Sequence, residues 1–150
     1  MNVVLQRVSK ASVTVDEKII SEIQNGILIL LGITNDDTID DIQWLTKKIA
    51  NLRIFDDENN VMNKSLIDVH GDAIVVSQFT LLASTKKGNR PSYIKAAKPD
   101  FAIPIYEKFI QELESLLSKK IGKGIFGADM KIELTNDGPV TIIIDTKNKN

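Results

Sequence analysis

The sequence predicts an α+β fold, a mixed sheet of about seven strands carrying two main helices. Three observations lead there. Strand-like apolar runs crowd both ends of the 150-residue chain. Only two segments repeat apolar residues at helical spacing. Those two segments do not alternate with single strands, as a regular βαβ wheel would require.

Val3 to Val15 is valine-rich and loosely alternating, Asp16-Glu17-Lys18 reads as a turn, and Ile19 to Ile23 returns as a hairpin partner. Gln24-Asn25-Gly26 turns the chain again. The run Ile27-Leu28-Ile29-Leu30-Leu31 is continuously apolar, which suits a central strand buried on both faces. Asn35-Asp36-Asp37-Thr38 is a capping cluster, and Ile39, Ile42, Leu45, Ile49 and Leu52 then fall at helical spacing. Asp56 to Asn60 is a polar turn, Ile74 to Leu82 a strand, and Ser84 to Pro91 a loop. A second helix follows Pro99. Its apolar face holds Ala102, Ile105, Phe109, Leu113 and Leu116 or Leu117, and it ends near Lys119-Lys120, where cations suit the helix dipole. Gly122, Gly124 and Gly127 punctuate a loop, and Met130 to Leu134 and Val140 to Asp145 close the chain as two strands. One domain therefore spans 1–146, and the polar residues 147–150 form a frayed tail.

With 43% hydrophobic and 26% charged residues, the chain can build one sizeable core. No apolar run approaches the roughly 18 residues of a membrane span. Met1 to Arg7 enters strand pattern directly, without the regions of a secretion signal, so a cytoplasmic protein is expected. The absence of cysteine excludes disulfides and thiolate nucleophiles, and a lone histidine, His70, excludes multi-histidine centres. No metal and no cofactor are expected: Gly122-Lys123-Gly124 lacks the strand–loop–helix spacing of a nucleotide-binding loop. A net charge of −1 gives no global signature of a polyanion partner, and neither DNA nor membrane is expected as one. A local patch remains. Lys86, Lys87, Arg90, Lys95 and Lys98 lie close together in sequence, either as a solvated loop or as contacts to phosphates.

Candidate chemistry is sparse. Asp36, Asp37, Asp40 and Asp41 sit at a helix start, where carboxylates serve free N–H groups and the dipole. His70, beside Gly71, reads as a solvated turn residue rather than a base. Two polar interruptions are left. Ser77-Gln78-Phe79-Thr80-Leu81-Leu82-Ala83 places hydroxyls and an amide where a strand would hold Val or Ile, and an unpaired buried polar atom costs roughly 1–3 kcal/mol. In a regular strand Ser77 and Phe79 face one side and Gln78 and Thr80 the other. If the strand ends or bulges there, N–H groups near Phe79 and Thr80 are free to form an oxyanion site. The plainer reading is edge hydroxyls bonded to neighbouring backbone. Asn136-Asp137-Gly138-Pro139-Val140-Thr141 reads as a tight turn or, where the Gly-Pro bond is cis, as main-chain carbonyls brought close to a ligand.

With these two motifs the chain resembles the D-aminoacyl-tRNA deacylases, the D-tyrosyl-tRNA deacylase family, which remove D-amino acids from mischarged tRNA. The similarity runs from Met1 to about Asp145 and takes in Gln6-Arg7-Val8, Ala11-Ser12-Val13, Gly88-Asn89-Arg90-Pro91-Ser92 and Phe126-Gly127-Ala128-Asp129-Met130. The resemblance implies a partial barrel that forms a homodimer with active sites at the interface. Ser77, Gln78, Phe79 and Thr80 would line the ester, with amides near Phe79 and Thr80 binding its carbonyl oxygen. A cis Gly138-Pro139 would reach into the partner's pocket and fill the space an L side chain needs. D-residues would then pass, and achiral glycine mischarged on alanine tRNA with them. Phe126 and Met130 would line the pocket around the terminal adenosine or the aminoacyl group, and Arg7 would steady the Gly-Pro loop. Lys86, Lys87 and Arg90 would meet phosphates near the tRNA acceptor end. With no base in the sequence, help in activating water falls to the terminal ribose 2′-OH; the alternative, Thr80 as nucleophile, needs an adjacent base. Phe79 and Asn136-Asp137 agree with the D-specific branch rather than the branch that accepts L-alanyl substrates. The competing class is a non-catalytic RNA- or nucleoside-binding module, which would hold tRNA ends without turnover. A generic esterase would need a Gly-x-Ser-x-Gly elbow, which is missing.

Overall fold

The computed structural model describes residues 1–149. In chain order its elements are β1 (Asn2–Val15), β2 (Lys18–Ile23), β3 (Gly26–Gly32), α1 (Ile39–Asn51), β4 (Phe55–Asp56), β5 (Met62–Lys64), β6 (Asp72–Ser77), a 3-10 turn (Phe79–Leu82), α2 (Pro99–Leu117), β7 (Gly122–Lys123) and β8 (Lys131–Asp145). The long β1 organises the sheet. Its first half pairs antiparallel with β3 and its second half with β2, while β8 runs antiparallel beside it from Asn2 to Thr14. β6 joins β3 in parallel and β7 joins β6 in parallel, so the sheet is mixed and the class is α+β as expected.

Alternation along the strands sorts the core into two layers. Ile27, Ile29, Leu31 and Val75 point to the side where α1 and α2 pack, and Leu28, Ile74 and Val76 point to the other. β1 changes sides part-way: Val3 and Leu5 belong to the helix layer, but Val8, Ala11 and Val13 belong to the second layer. The change coincides with register shifts against β8 on both sides of Val8. The second layer carries no helix. Met130, Ile132 and Leu134 cover it, because β8 curls over and nearly closes the sheet.

Each helix begins where its sequence signals a start. Thr38 caps α1 in a capping box, its hydroxyl accepting from the Asp41 N–H while the Asp41 carboxylate accepts from the Thr38 N–H. Pro99 opens α2, and Ser118, in the left-handed conformation at φ 54°, closes it. Asp37 is more than a cap residue: it is buried and accepts from the Met1 amino group and the Thr34 N–H.

Four expectations are corrected, and a fifth, the polar turn at Asp56 to Asn60, is kept within a larger unit. The strand expected over Ile74 to Leu82 stops at Ser77, because β3 runs out at Gly32 and no neighbour remains to pair with. The two expected C-terminal strands are one, β8, since β1 pairs with it on both sides of residues 137–140. Gly122 and Lys123 are a short strand rather than loop. The polar turn at Asp56 to Asn60 belongs to a small β4–β5 hairpin. Lys147, expected to begin a loose tail, instead places its Nζ 2.8 Å from Asp41 and donates to the Asp36 carbonyl; Asn150 lies outside the described residues. Burial raises the Asp41 carboxyl's pKa, but the bonds from Lys147 and from Thr38 more than offset this and hold it well below the ordinary range.

Candidate functional site

The end of β6 creates the site. The Gln78 N–H makes the last ladder bond, 2.8 Å to the Leu31 carbonyl, and the chain then tightens into the 3-10 turn. A turn of this kind leaves its first N–H groups without internal partners. Among the described residues the Phe79 and Thr80 amides have no acceptor. The Gln78 side-chain amide donates to the Thr80 hydroxyl, and among the described residues no carboxylate or imidazole is hydrogen-bonded to that hydroxyl.

Behind the turn lies a cavity of about 300 Å³. Leu31, Ile33 and Val76 form its apolar base, Ser77 to Phe79 one wall, and Phe126 to Met130 another. Phe126 is held from α2: its ring lies 5.9 Å from that of Tyr106, whose hydroxyl donates 2.7 Å to the Val75 carbonyl. Burial pushes the Tyr106 phenol up to about 12. At the mouth, Phe79 is 56% exposed and meets Tyr93 edge-on at 5.0 Å.

Thus Ser77, Gln78, Phe79, Phe126 and Met130 come together around one cavity, with Thr80 next to them on the exposed side of the turn. Gly138, Pro139 and Arg7 do not join them. Ile132 of β8 lines the cavity, and Gly138 lies six residues further along the same strand, roughly 20 Å away at about 3.3 Å per residue. There the ladder opens. Gln6 pairs with Thr141 and Val8 with Asn136, so Arg7 alone stands opposite the four residues 137–140. The Gly138-Pro139 bond is cis. Arg7 is buried, its Nε donating 2.8 Å to the Asp137 carbonyl and its Nη1 2.7 Å to the Ile54 carbonyl. Both Gly138 and Pro139 are exposed.

Lys86, Lys87 and Arg90 are all exposed, and none makes an ion pair among the described residues. Lys86 and Lys95 line a second, more open groove of about 840 Å³ that runs beside residues 81–86. Sequence reasoning missed part of the first cavity. Ala97 enters from the segment just before α2 and Ala102 from its first turn, and Asp129 reaches the mouth, where Lys131 pairs with it at 3.1 Å. Asp129 was visible inside its motif, but nothing local marks the two alanines, which matter only because small side chains leave the space open. His70 is exposed and enters no site.

Comparison with known proteins gives a consistent result. The family described as D-Tyr-tRNA(Tyr) deacylase matches residues 4–145. A D-aminoacyl-tRNA deacylase from Flavobacterium psychrophilum is 65% identical over 149 residues, and one from Flavobacterium johnsoniae is 66% identical over 149; both alignments cover 99% of each chain. Among solved structures, a c-Myc DNA unwinding element binding protein superposes with a TM-score of 0.90 at 40% identity, covering 97% of this chain and 98% of its own.

Proposed function

The chain belongs to the D-Tyr-tRNA(Tyr) deacylase family, and on that footing we propose that it hydrolyses the ester joining a D-amino acid to the 3′ end of tRNA, with selection made between two subunits. The observation that carries the reading is a separation. Phe79, with its free amide, lines the cavity and the free Thr80 amide follows it in the same turn, while the Gly138-Pro139 loop projects from the same chain too far away to reach it. A second copy related by a two-fold axis brings one chain's loop to the other's cavity, and each subunit then completes its partner's site.

In that assembly the Gly138-Pro139 carbonyls occupy the volume of an L side chain, and the discrimination is steric rejection rather than recognition of the D side chain. Varied D-residues and glycine therefore enter. Water attacks the ester carbonyl carbon, the developing oxyanion accepts from the Phe79 and Thr80 amides, and the C–O bond to the ribose breaks, releasing the amino acid and the tRNA hydroxyl. Each such donor is worth about 10²–10³ in rate. The Thr80 hydroxyl, bonded to Gln78 and without a base, is not the nucleophile; the neighbouring ribose 2′-OH assists the water. Phe126 and Met130 pack on the terminal adenosine or the aminoacyl group, and Lys86, Lys87 and Arg90 meet acceptor-end phosphates. One relative is named for binding a DNA element. In this chain a net charge of −1 and cations gathered in one loop favour a short contact with an RNA end over a duplex face.

The test compares D-tyrosyl-tRNA with L-tyrosyl-tRNA, each incubated with the purified protein. Loss of the D ester alone is expected. Loss of both would remove the steric selection, and loss of neither with tRNA still bound would replace the enzyme by a binding module.

A further inference from the structure

We propose that Asn136 and Thr141 form a side-chain clamp that positions the Gly138-Pro139 loop and so sets its stereochemical selectivity, an inference that rests on the reading above. Between the paired positions 136 and 141, four residues of β8 leave the ladder, and their backbone has no neighbouring strand to bond with. A loop in that state is mobile unless side chains replace the missing bonds. The replacement comes from two directions. Arg7 holds the entering side through the Asp137 carbonyl at 2.8 Å. Asn136 holds the returning side: its Oδ1 accepts from the Val140 N–H at 2.8 Å, and its Nδ2 donates to the Thr141 hydroxyl at 2.9 Å.

These two bonds use both ends of one amide. They tie the residue before the excursion to its last residue, Val140, and to Thr141, the first residue after it, so the loop is closed at its base as well as braced by Arg7. Among the described residues no side chain is hydrogen-bonded to Gly138 or Pro139, which are exposed at the tip, so the frame acts on them through Asp137 and Val140. A rejection mechanism depends on the tip being where the unwanted side chain would go. An error of about 1 Å in such positioning costs as much as ~100-fold. Asn suits the position because its amide both donates and accepts; Ala does neither.

The experiment measures kcat/KM on D-tyrosyl-tRNA and L-tyrosyl-tRNA for the full-length protein and for Asn136→Ala, Asn136→Asp and Thr141→Val, with Gly138→Ala as control. We expect Asn136→Ala to lower the D-over-L ratio by about 10- to 100-fold while secondary structure and melting stay close to wild type. Asn136→Asp keeps both partners, since a carboxylate accepts from the Val140 N–H and from the Thr141 hydroxyl, and it restores most of the ratio. Thr141→Val keeps shape but loses one bond, and it falls between the two; if Asn136→Ala does not fold, this variant decides. An unchanged ratio in Asn136→Ala, or in a folded Thr141→Val, while Gly138→Ala loses its D-tyrosyl-tRNA activity would overturn the clamp. A Gly138→Ala enzyme that keeps wild-type D-tyrosyl-tRNA activity and its selectivity would instead overturn the loop mechanism on which the clamp depends.

Discussion

Gly138 adopts φ +139°, a region open to glycine and strained for any residue with a side chain. A Cβ there would lie 2.7 Å from the Val140 side chain, 3.0 Å from the Val140 nitrogen and 3.2 Å from an Arg7 guanidinium nitrogen. Gly138→Ala must therefore move the loop tip, and we expect D-tyrosyl-tRNA deacylation to fall by at least ~100-fold with circular dichroism unchanged, as a displacement of about 1 Å would produce. Thr80→Ala is the opposite case. It keeps the backbone amide and loses only the bond from Gln78, so kcat should stay within about fivefold of wild type, the effect of roughly 1 kcal/mol. A loss of ~1,000-fold would give the hydroxyl a chemical role. Both residues could be picked out in the sequence, because polar and Gly-Pro interruptions stand out against apolar strands. Their placement at two separate positions could not, because it depends on which strand each segment pairs with.

Elements carry this separation. The apolar run 27–31 and the helical spacing after Thr38 identified β3 and α1 within a residue or two, since each buries a regular pattern. The end of β6 and the unity of β8 were hidden, because both are decided by neighbours: β3 stops at Gly32 and abandons β6, while β1 continues beside β8 past the Gly-Pro step. The site is joined to α2 through Tyr106, which braces Phe126 and bonds the β6 carbonyl at Val75. Its phenol is pushed up to about 12, whereas an unfolded tyrosine ionises near ~10. A raised value means that the neutral form is favoured by folding. The stability it confers is intact below pH ~10 and is lost progressively as pH rises toward 12. Tyr106→Phe should cost about 1 kcal/mol at neutral pH and lower the melting temperature by about 2–4 °C. The same variant should lose the late tyrosinate absorbance step, between pH ~10 and ~13, in a spectrophotometric titration.

At the scale of the whole molecule, the proposed function has one chain hold a cavity on one side and the Gly138-Pro139 loop roughly 20 Å further along β8 at about 3.3 Å per residue, and pairing of two copies would bring a cavity and a loop together. This makes a prediction that no single-chain mechanism shares. Gly138→Ala spoils the loop but leaves the cavity intact. Ala128→Trp fills the cavity wall but leaves the loop intact. Each variant alone should be inactive on D-tyrosyl-tRNA. When the two are unfolded together, mixed in equal amounts and refolded, random pairing makes half of the dimers mixed, and each mixed dimer holds one good cavity facing one good loop. Roughly a quarter of wild-type activity should return, since one site in two works in half of the molecules. Mixing without subunit exchange should return none, which separates complementation from simple recovery of either variant. Full activity in a species of monomeric mass by sedimentation, or no recovery in mixtures shown by mass to contain mixed dimers, would place selection within one chain. The separation along β8 would then need a different explanation.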